Sequence, residues 1–273
     1  MALFQCKLFS YSLMKNVNVN VTLPLPDFSN IVSGRETDFP EKEYRYQVLW
    51  LLHGFSADES DWQRFSGIER YAQEKGIAVV MPDGGNSFYT DIGSSARYFE
   101  YYTEELPKML QNVFPLSSKK EDNFIAGLSM GGYGAFKAIL LKPDKYIAAA
   151  SLSGGLEFMN SGKTSRSSSE VERIAGEWLK VVYGKTFEGF IQERDDIKCL
   201  LEQYVKIPEK ENMFYMCCGT DDFVYETNRD IATYAAKLGV PITFEEDNGN
   251  HDFDFWDRYI RKILDWLPIC GKP

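Results

Sequence analysis

Phe124-Ile125-Ala126-Gly127-Leu128-Ser129-Met130-Gly131-Gly132-Tyr133-Gly134-Ala135 sets a serine between glycines, after a short apolar run and before a segment of helical character. The pattern is G-x-S-x-G, a strand that turns sharply into a helix with the serine hydroxyl pushed out at the bend. Side chains two residues before and after the serine would collide at such a bend, and Gly127 and Gly131 leave the room. The helix over 130–141 adds aligned N–H groups and the positive end of its dipole, which suit a developing oxyanion. A glycine-rich turn that carries a serine by chance is the plainer alternative, so the reading depends on what the rest of the chain supplies.

Upstream, residues 46–52 are almost continuously apolar and β-prone, as in a central parallel strand buried on both faces. The strand runs into His53-Gly54-Phe55-Ser56, at the carboxyl end where α/β proteins place ligands. His53 reads as a packed histidine that fixes this loop; His53, Gly54 and Trp62 are also candidate substrate contacts. Trp62, after Asp58 and Asp61, otherwise reads as the buried anchor of a capped helix start. The Phe55 N–H can share an oxyanion with the N–H of Met130.

Residues 16–22 alternate asparagine and valine before Thr22, which predicts an antiparallel strand with one wet face. Residues 77–81 form another buried strand, stopped by Pro82-Asp83-Gly84-Gly85-Asn86. Helical spacing over 97–113 places Tyr98, Tyr101 or Tyr102, Leu106, Met109, Leu110 and Val113 on one stripe, read as core. A strand over 146–152 follows the helix at 130–141. The order strand, helix, strand, helix predicts a doubly wound, mostly parallel sheet.

The rhythm then changes. Residues 156–206 contain no buried strand and read as a small, cap-like helical insertion near the carboxyl edge of one domain spanning 1–273. Within it, Ser169-x-x-Glu172 is a capping box ahead of a stripe of Ile174, Trp178, Val181 and Val182. A second run carries Ile197, Leu200, Leu201 and Tyr204. Strands over 213–219 and 240–245 follow, with a helix over 228–238 between them, and an amphipathic helix closes the chain with Trp256, Tyr259, Ile260, Ile263, Leu264 and Trp266.

A serine hydroxyl needs an adjacent base. The chain of 273 residues has two histidines, and one of them lies after Ser129. His251 sits in Gly249-Asn250-His251-Asp252, after a strand, and a carboxylate pair, Asp221-Asp222, follows the strand before it. Serine, carboxylate and histidine in that order match one of the known serine-triad arrangements. Spacing leaves Asp221 and Asp222 both open as the acid.

Composition narrows the partners. A net charge of −10 argues against nucleic acid, whose phosphates require clustered Lys and Arg. The five cysteines, Cys6, Cys199, Cys217, Cys218 and Cys270, are odd in number and irregular in spacing, which fits reduced thiols in the cytoplasm. Neither a signal peptide nor an apolar run of about 18 residues is present, so no membrane partner is expected. No zinc spacing or phosphate loop is found, so neither a metal nor a cofactor is expected. Exposed edge strands leave room for a homo-oligomer.

Taken together, Gly127-Leu-Ser129-Met-Gly131-Gly-Tyr-Gly134, Leu52-His53-Gly54, Pro82-Asp-Gly-Gly85, Cys218-Gly-Thr-Asp-Asp222 and Asn250-His251-Asp252 resemble the esterase D-related "putative esterase" family. The likeness is strongest to the branch of bacterial tributyrin and acetyl esterases, with feruloyl esterases and S-formylglutathione hydrolase as relatives. The resemblance runs over nearly the whole chain. It implies an α/β-hydrolase fold and hydrolysis of short-chain acyl esters through an acyl-enzyme, with Ser129, Asp222 and His251 as triad. It also selects Asp222 over Asp221. Two alternatives accompany it: acyl transfer to an alcohol or sugar, and feruloyl or acetylxylan esters as substrates. Phe253 stands where relatives often carry Trp, and the 156–206 segment transfers least.

Overall fold

Five residues explain the layering. Val48, Trp50 and Leu52 turn to one side of their strand, and Leu49 and Leu51 to the other, because successive Cβ atoms of a strand alternate. Both sides are buried, so helices must cover both. The computed structural model describes residues 1–26, 41–93, 96–157 and 170–270, together with positions 28, 32 and 34.

Along the described chain, β1 (Ala2–Ser10) and β2 (Lys15–Leu23) form a hairpin, followed by β3 (Val48–Leu52), α1 (Asp61–Phe65), α2 (Ile68–Lys75) and β4 (Ala78–Pro82). A small ribbon of β5 (Asp91–Ile92) and β6 (Ala96–Arg97) leads into α3 (Tyr98–Glu100), a π-turn at Tyr101–Glu105 and α4 (Leu106–Val113). Then come β7 (Asn123–Leu128), α5 (Met130–Leu141) and β8 (Ala148–Leu152). After them stand α6 (Glu170–Tyr183), α7 (Gln192–Asp195) and α8 (Ile197–Tyr204). The chain closes with β9 (Met213–Gly219), α9 (Tyr225–Lys237), β10 (Ile242–Asp247) and α10 (Phe253–Trp266).

The main sheet has eight strands in the order β1-β2-β4-β3-β7-β8-β9-β10. From β4 to β10 the neighbours are parallel, and β2 runs antiparallel to both β1 and β4. This is the mostly parallel, doubly wound sheet with an antiparallel N-terminal strand that the sequence predicts. One face carries α5, α8 and the π-turn helix; the other carries α1, α2 and α10.

The differences from expectation have local causes. β1 has no clean alternation to mark it in the sequence; it is ordered by pairing with β2 along its whole length, from Ala2↔Leu23 to Ser10↔Lys15. The wet face expected on β2 is covered at its far end: Thr22 is buried, and the Asn20 amide donates to the Glu59 carbonyl and to Gln63 Oε1. In the helix over 97–113, the π-turn shifts the phase, so Tyr101 and Tyr102 are buried while Val113 is exposed.

The α6 stripe is also out of phase with its reading. Leu179, Val182 and Tyr183 are buried, whereas Ile174, Trp178 and Val181 are exposed. The Ser169–Glu172 capping box lies outside the described residues. The second run packs as expected: Ile197, Leu200, Leu201 and Tyr204 are all buried, with the Tyr204 ring edge-on to Phe214 of β9.

Lys137, on α5, is fully buried. Its Nζ donates to Asp195 Oδ1 at 2.6 Å and to Thr90 Oγ1 at 2.7 Å. Arg194 donates to the same carboxylate, and the Tyr133 hydroxyl donates to the Asp195 carbonyl. This polar cluster binds α7 to α5 and to the loop before β5.

Candidate active site

Parallel strands deliver their following loops to one edge of the sheet, and the loops after β3, β4, β7, β8, β9 and β10 meet there. Ser129 sits at the bend between β7 and α5 with φ +53° and ψ −116°, a conformation that L-residues rarely adopt. The bend is held by backbone: the Ser129 N–H donates to the Leu152 carbonyl at 2.9 Å, and the Ser129 carbonyl accepts from the N–H groups of Gly155 and Tyr133. A Cβ on Gly127 would lie 2.4 Å from the backbone of Gly131, and one on Gly131 would lie 2.5 Å from the Leu52 carbonyl oxygen. Only glycine allows α5 to start this close to β7 and β3.

The carboxylate and the imidazole come from the two last parallel strands. β9 and β10 pair in register through Gly219↔Asp247, and the pairing continues past the strand ends where the Asp221 N–H donates to the Gly249 carbonyl. Gly219 permits this approach, since a Cβ there would lie 2.2 Å from the Gly249 oxygen. The two loops are thereby aligned before any side chain is considered.

His251 Nδ1 lies 2.9 Å from Asp222 Oδ2 and 3.0 Å from Oδ1, and its Nε2 lies 2.9 Å from Ser129 Oγ. An ionised carboxylate can only accept, so Nδ1 carries the proton and Nε2 is left to accept from the serine hydroxyl. The Asp222 side chain is buried and also accepts from the Val224 N–H. Asp221 is exposed and its side chain takes no part. The structure therefore brings Ser129, His251 and Asp222 together in one hydrogen-bonded line.

Two aromatic rings hold the imidazole. Phe223 lies 4.5 Å from it, centroid to centroid, and Trp256 meets it edge-on at 4.9 Å. The Trp256 indole N–H donates to Ser153 Oγ. Sequence reading missed Phe223, although it directly follows Asp222, and took Trp256 only as part of the α10 stripe.

The Phe55 N–H has no protein acceptor among the described residues, and Gly54 beside it packs against Ser129: a Cβ on Gly54 would lie 3.6 Å from the Ser129 Cβ. Met130 is the first residue of α5, where the N–H has no partner within the helix. Both amides lie beside the serine.

His53 and Trp62 require correction as substrate contacts. His53 is 1% exposed; its Nδ1–H donates to the Gly54 carbonyl at 2.7 Å and its Nε2 accepts from the Gly84 N–H at 2.8 Å. Burial pushes its pKa below the usual histidine value, which matches a neutral ring. Trp62 is also 1% exposed, and its indole N–H donates to the Leu52 carbonyl. Both are structural ties that hold the β3 loop. Gly54 remains at the site through its backbone. A polar groove of about 870 Å³ lined in part by Tyr44, Arg45, Lys108 and Lys145 lies at the opposite, amino-terminal edge of the sheet.

A family model described as "Putative esterase" matches residues 10–267. An acetyl esterase of Caldicellulosiruptor saccharolyticus is 30% identical over 287 aligned positions, which cover 98% of each chain. Among solved structures, an S-formylglutathione hydrolase of Staphylococcus aureus is 30% identical with a TM-score of 0.79, covering 97% of this chain and 98% of that one. A ferulic acid esterase shares the fold at 21% identity with a TM-score of 0.72, covering 97% of this chain and 96% of that one.

Proposed function

The chain belongs to the esterase family matched over residues 10–267, and on that premise we propose that it is a carboxylesterase of short-chain acyl esters working through Ser129, His251 and Asp222. The observation that carries this reading is the line of hydrogen bonds from Ser129 Oγ through His251 to Asp222, 2.9 Å at both ends.

In the proposed mechanism Ser129 Oγ attacks the ester carbonyl carbon while its proton passes to His251 Nε2. The carbonyl oxygen becomes an oxyanion and accepts from the N–H groups of Phe55 and Met130. His251 then gives the proton to the departing alkoxide. The alcohol leaves, and an acyl ester on Ser129 remains. Water, deprotonated by the same imidazole, reverses the sequence and releases the carboxylic acid. Asp222 keeps Nδ1 as the protonated nitrogen and stabilises the imidazolium when it forms.

The same reading takes residues 1–273 as one hydrolase domain with 156–206 as a cap over the site, and small acyl esters as its partners. The names of its relatives suggest the panel for a test: p-nitrophenyl acetate and butyrate, a feruloyl ester, and an S-formyl thioester. Hydrolysis of the acetyl and butyryl esters by the native protein and its loss in Ser129→Ala is the expected result. An added alcohol or sugar that diverts the acyl group into a new ester, in preference to water, would make the protein an acyltransferase. Equal turnover by Ser129→Ala would remove the mechanism.

A further inference from the structure

α6 buries Leu179, Val182 and Tyr183, yet the neighbouring face presents Ile174, Trp178 and Val181, which are 46%, 39% and 62% exposed. Single exposed apolar residues are ordinary, whereas three in one helical stripe make an apolar patch. Trp178 is the one tied to the site. Its indole N–H donates to the Asn86 carbonyl at 2.6 Å, and its ring meets Phe55 edge-on at 6.2 Å.

The attachment is firm on the other side as well. Asn86 Oδ1 accepts from the Ser56 N–H at 2.7 Å, so one asparagine holds both α6 and the loop that presents the Phe55 amide. Its own loop is tied back to β3: the Gly84 N–H donates to His53 Nε2, and the Tyr89 hydroxyl donates to the His53 carbonyl. Ser56, Phe88 and Tyr89 all have positive φ, between +48° and +63°, as backbone does where surrounding contacts over-determine it. The Phe55 ring lies 6.0 Å from Phe88. Trp178, Phe55 and Phe88 therefore form an aromatic wall of fixed position, of which Trp178 is the exposed part.

The chemistry says which half of an ester meets this wall. His251 Nε2 must reach the leaving oxygen, so the alcohol half lies on the side of His251 and Phe223. The oxyanion lies against the Phe55 and Met130 amides. The remaining substituent on the carbonyl carbon is the acyl group, directed away from His251, and Trp178 borders the loop that carries the Phe55 amide through its contacts with Asn86 and Phe55. We propose that Trp178 is a specificity-determining residue, the exposed face of an aromatic wall against which the acyl chain of the substrate packs. The proposal rests on the ester-hydrolase reading above and assigns the acyl side of that site.

The experiment measures kcat/KM for p-nitrophenyl acetate, butyrate, hexanoate and octanoate, and for acetyl esters of differing alcohols, in the native protein, Trp178→Phe and Trp178→Ala. A wall that buries methylenes contributes about fourfold per CH₂. Trp178→Ala is expected to lose more activity with each added methylene, chiefly through KM, and by the same factor for every alcohol. Trp178→Phe, which keeps a ring without the N–H donor, is expected to retain most of the chain-length preference, and it carries the comparison should the alanine variant not fold. A parallel loss at all acyl lengths, or a loss that tracks the alcohol, would overturn the proposal while leaving the ester reading intact. Absence of hydrolysis of every ester by the native protein would instead strike the reading on which it rests.

Discussion

Ser129 combines a strained backbone, φ +53°, with a hydroxyl aimed at His251 Nε2. Neither feature serves packing, and removal of the hydroxyl leaves the bend, which is held by backbone bonds, in place. Ser129→Ala is therefore expected to fold normally, to fail to react with a fluorophosphonate probe, and to lose on the order of 10³–10⁶ in ester turnover. The carboxylates next to it in the argument separate cleanly. Asp222 is buried against the imidazole and the Val224 amide, while Asp221 points outward. An amide at 222 would favour the wrong histidine tautomer, so Asp222→Asn is expected to cut kcat by on the order of 10⁴. Asp221→Asn is expected to stay close to the native rate. The reverse ranking in a side-by-side assay would assign the acid to the other residue.

Among the elements, the crossing of α5 over β7 and β3 is the one that makes the site possible. A methyl group at residue 131 would meet the Leu52 and His53 carbonyl oxygens, both backbone and unable to swing aside. Gly131→Ala must push α5 away from β3, and is expected to cost about 1–3 kcal/mol in urea unfolding. It should also lower kcat, because Met130 and the β3 loop carry the two amides beside Ser129. A kcat equal to the native value in a destabilised variant would show that these amides tolerate the shift. α6 teaches a different lesson at the same scale. Its apolar residues predict a helix correctly, but a helix with apolar side chains on more than one face does not declare which face the core will take.

At the scale of the whole molecule, a buried ionic cluster ties α5 to α7 and to the loop before β5. Lys137 and Asp195 belong to segments 58 residues apart in the chain, and both side chains are fully buried. Burial pushes the Lys137 pKa down to about 8, although Asp195 opposes the shift. Burial also acts to raise Asp195, but Lys137, Arg194 and the Ile191 N–H outweigh it and hold its pKa below the ordinary value. Lys137→Met would leave that carboxylate with one cation fewer, and is expected to cost about 3–5 kcal/mol, read as a lower unfolding midpoint. The pH dependence has a definite sign. Between about 8 and the ordinary lysine value of 10.5, the unfolded chain holds this proton more often than the folded one. The contribution of Lys137 to stability therefore rises with pH across that window. The stability gap between native protein and Lys137→Met is expected to widen in favour of the native protein from pH 8 upward. A gap that narrows over the same range would mean that the folded lysine keeps its proton.

The sheet was legible because its signals are local: buried strands are runs of apolar residues, and the bend at Ser129 needs glycines at fixed neighbouring positions. The scarcity of histidine made His251 the only candidate base after Ser129 in chain order. Spacing could not separate Asp221 from Asp222, which differ by one residue in a loop; only a family resemblance favoured the second, and the hydrogen bonds to His251 now distinguish them. Nor could the chain announce that His53 and Trp62 would spend their polar atoms on backbone, or that α6 would turn Trp178 toward Asn86, 92 residues away. The sequence by itself determined the parallel strands and the bend, which depend on neighbours a few residues apart, and the order of serine, carboxylate and histidine, which is read directly along the chain. Which side chains face the site, which are buried and which pair across long separations was decided by tertiary packing, because a contact between distant segments exists only once both are fixed on the same sheet.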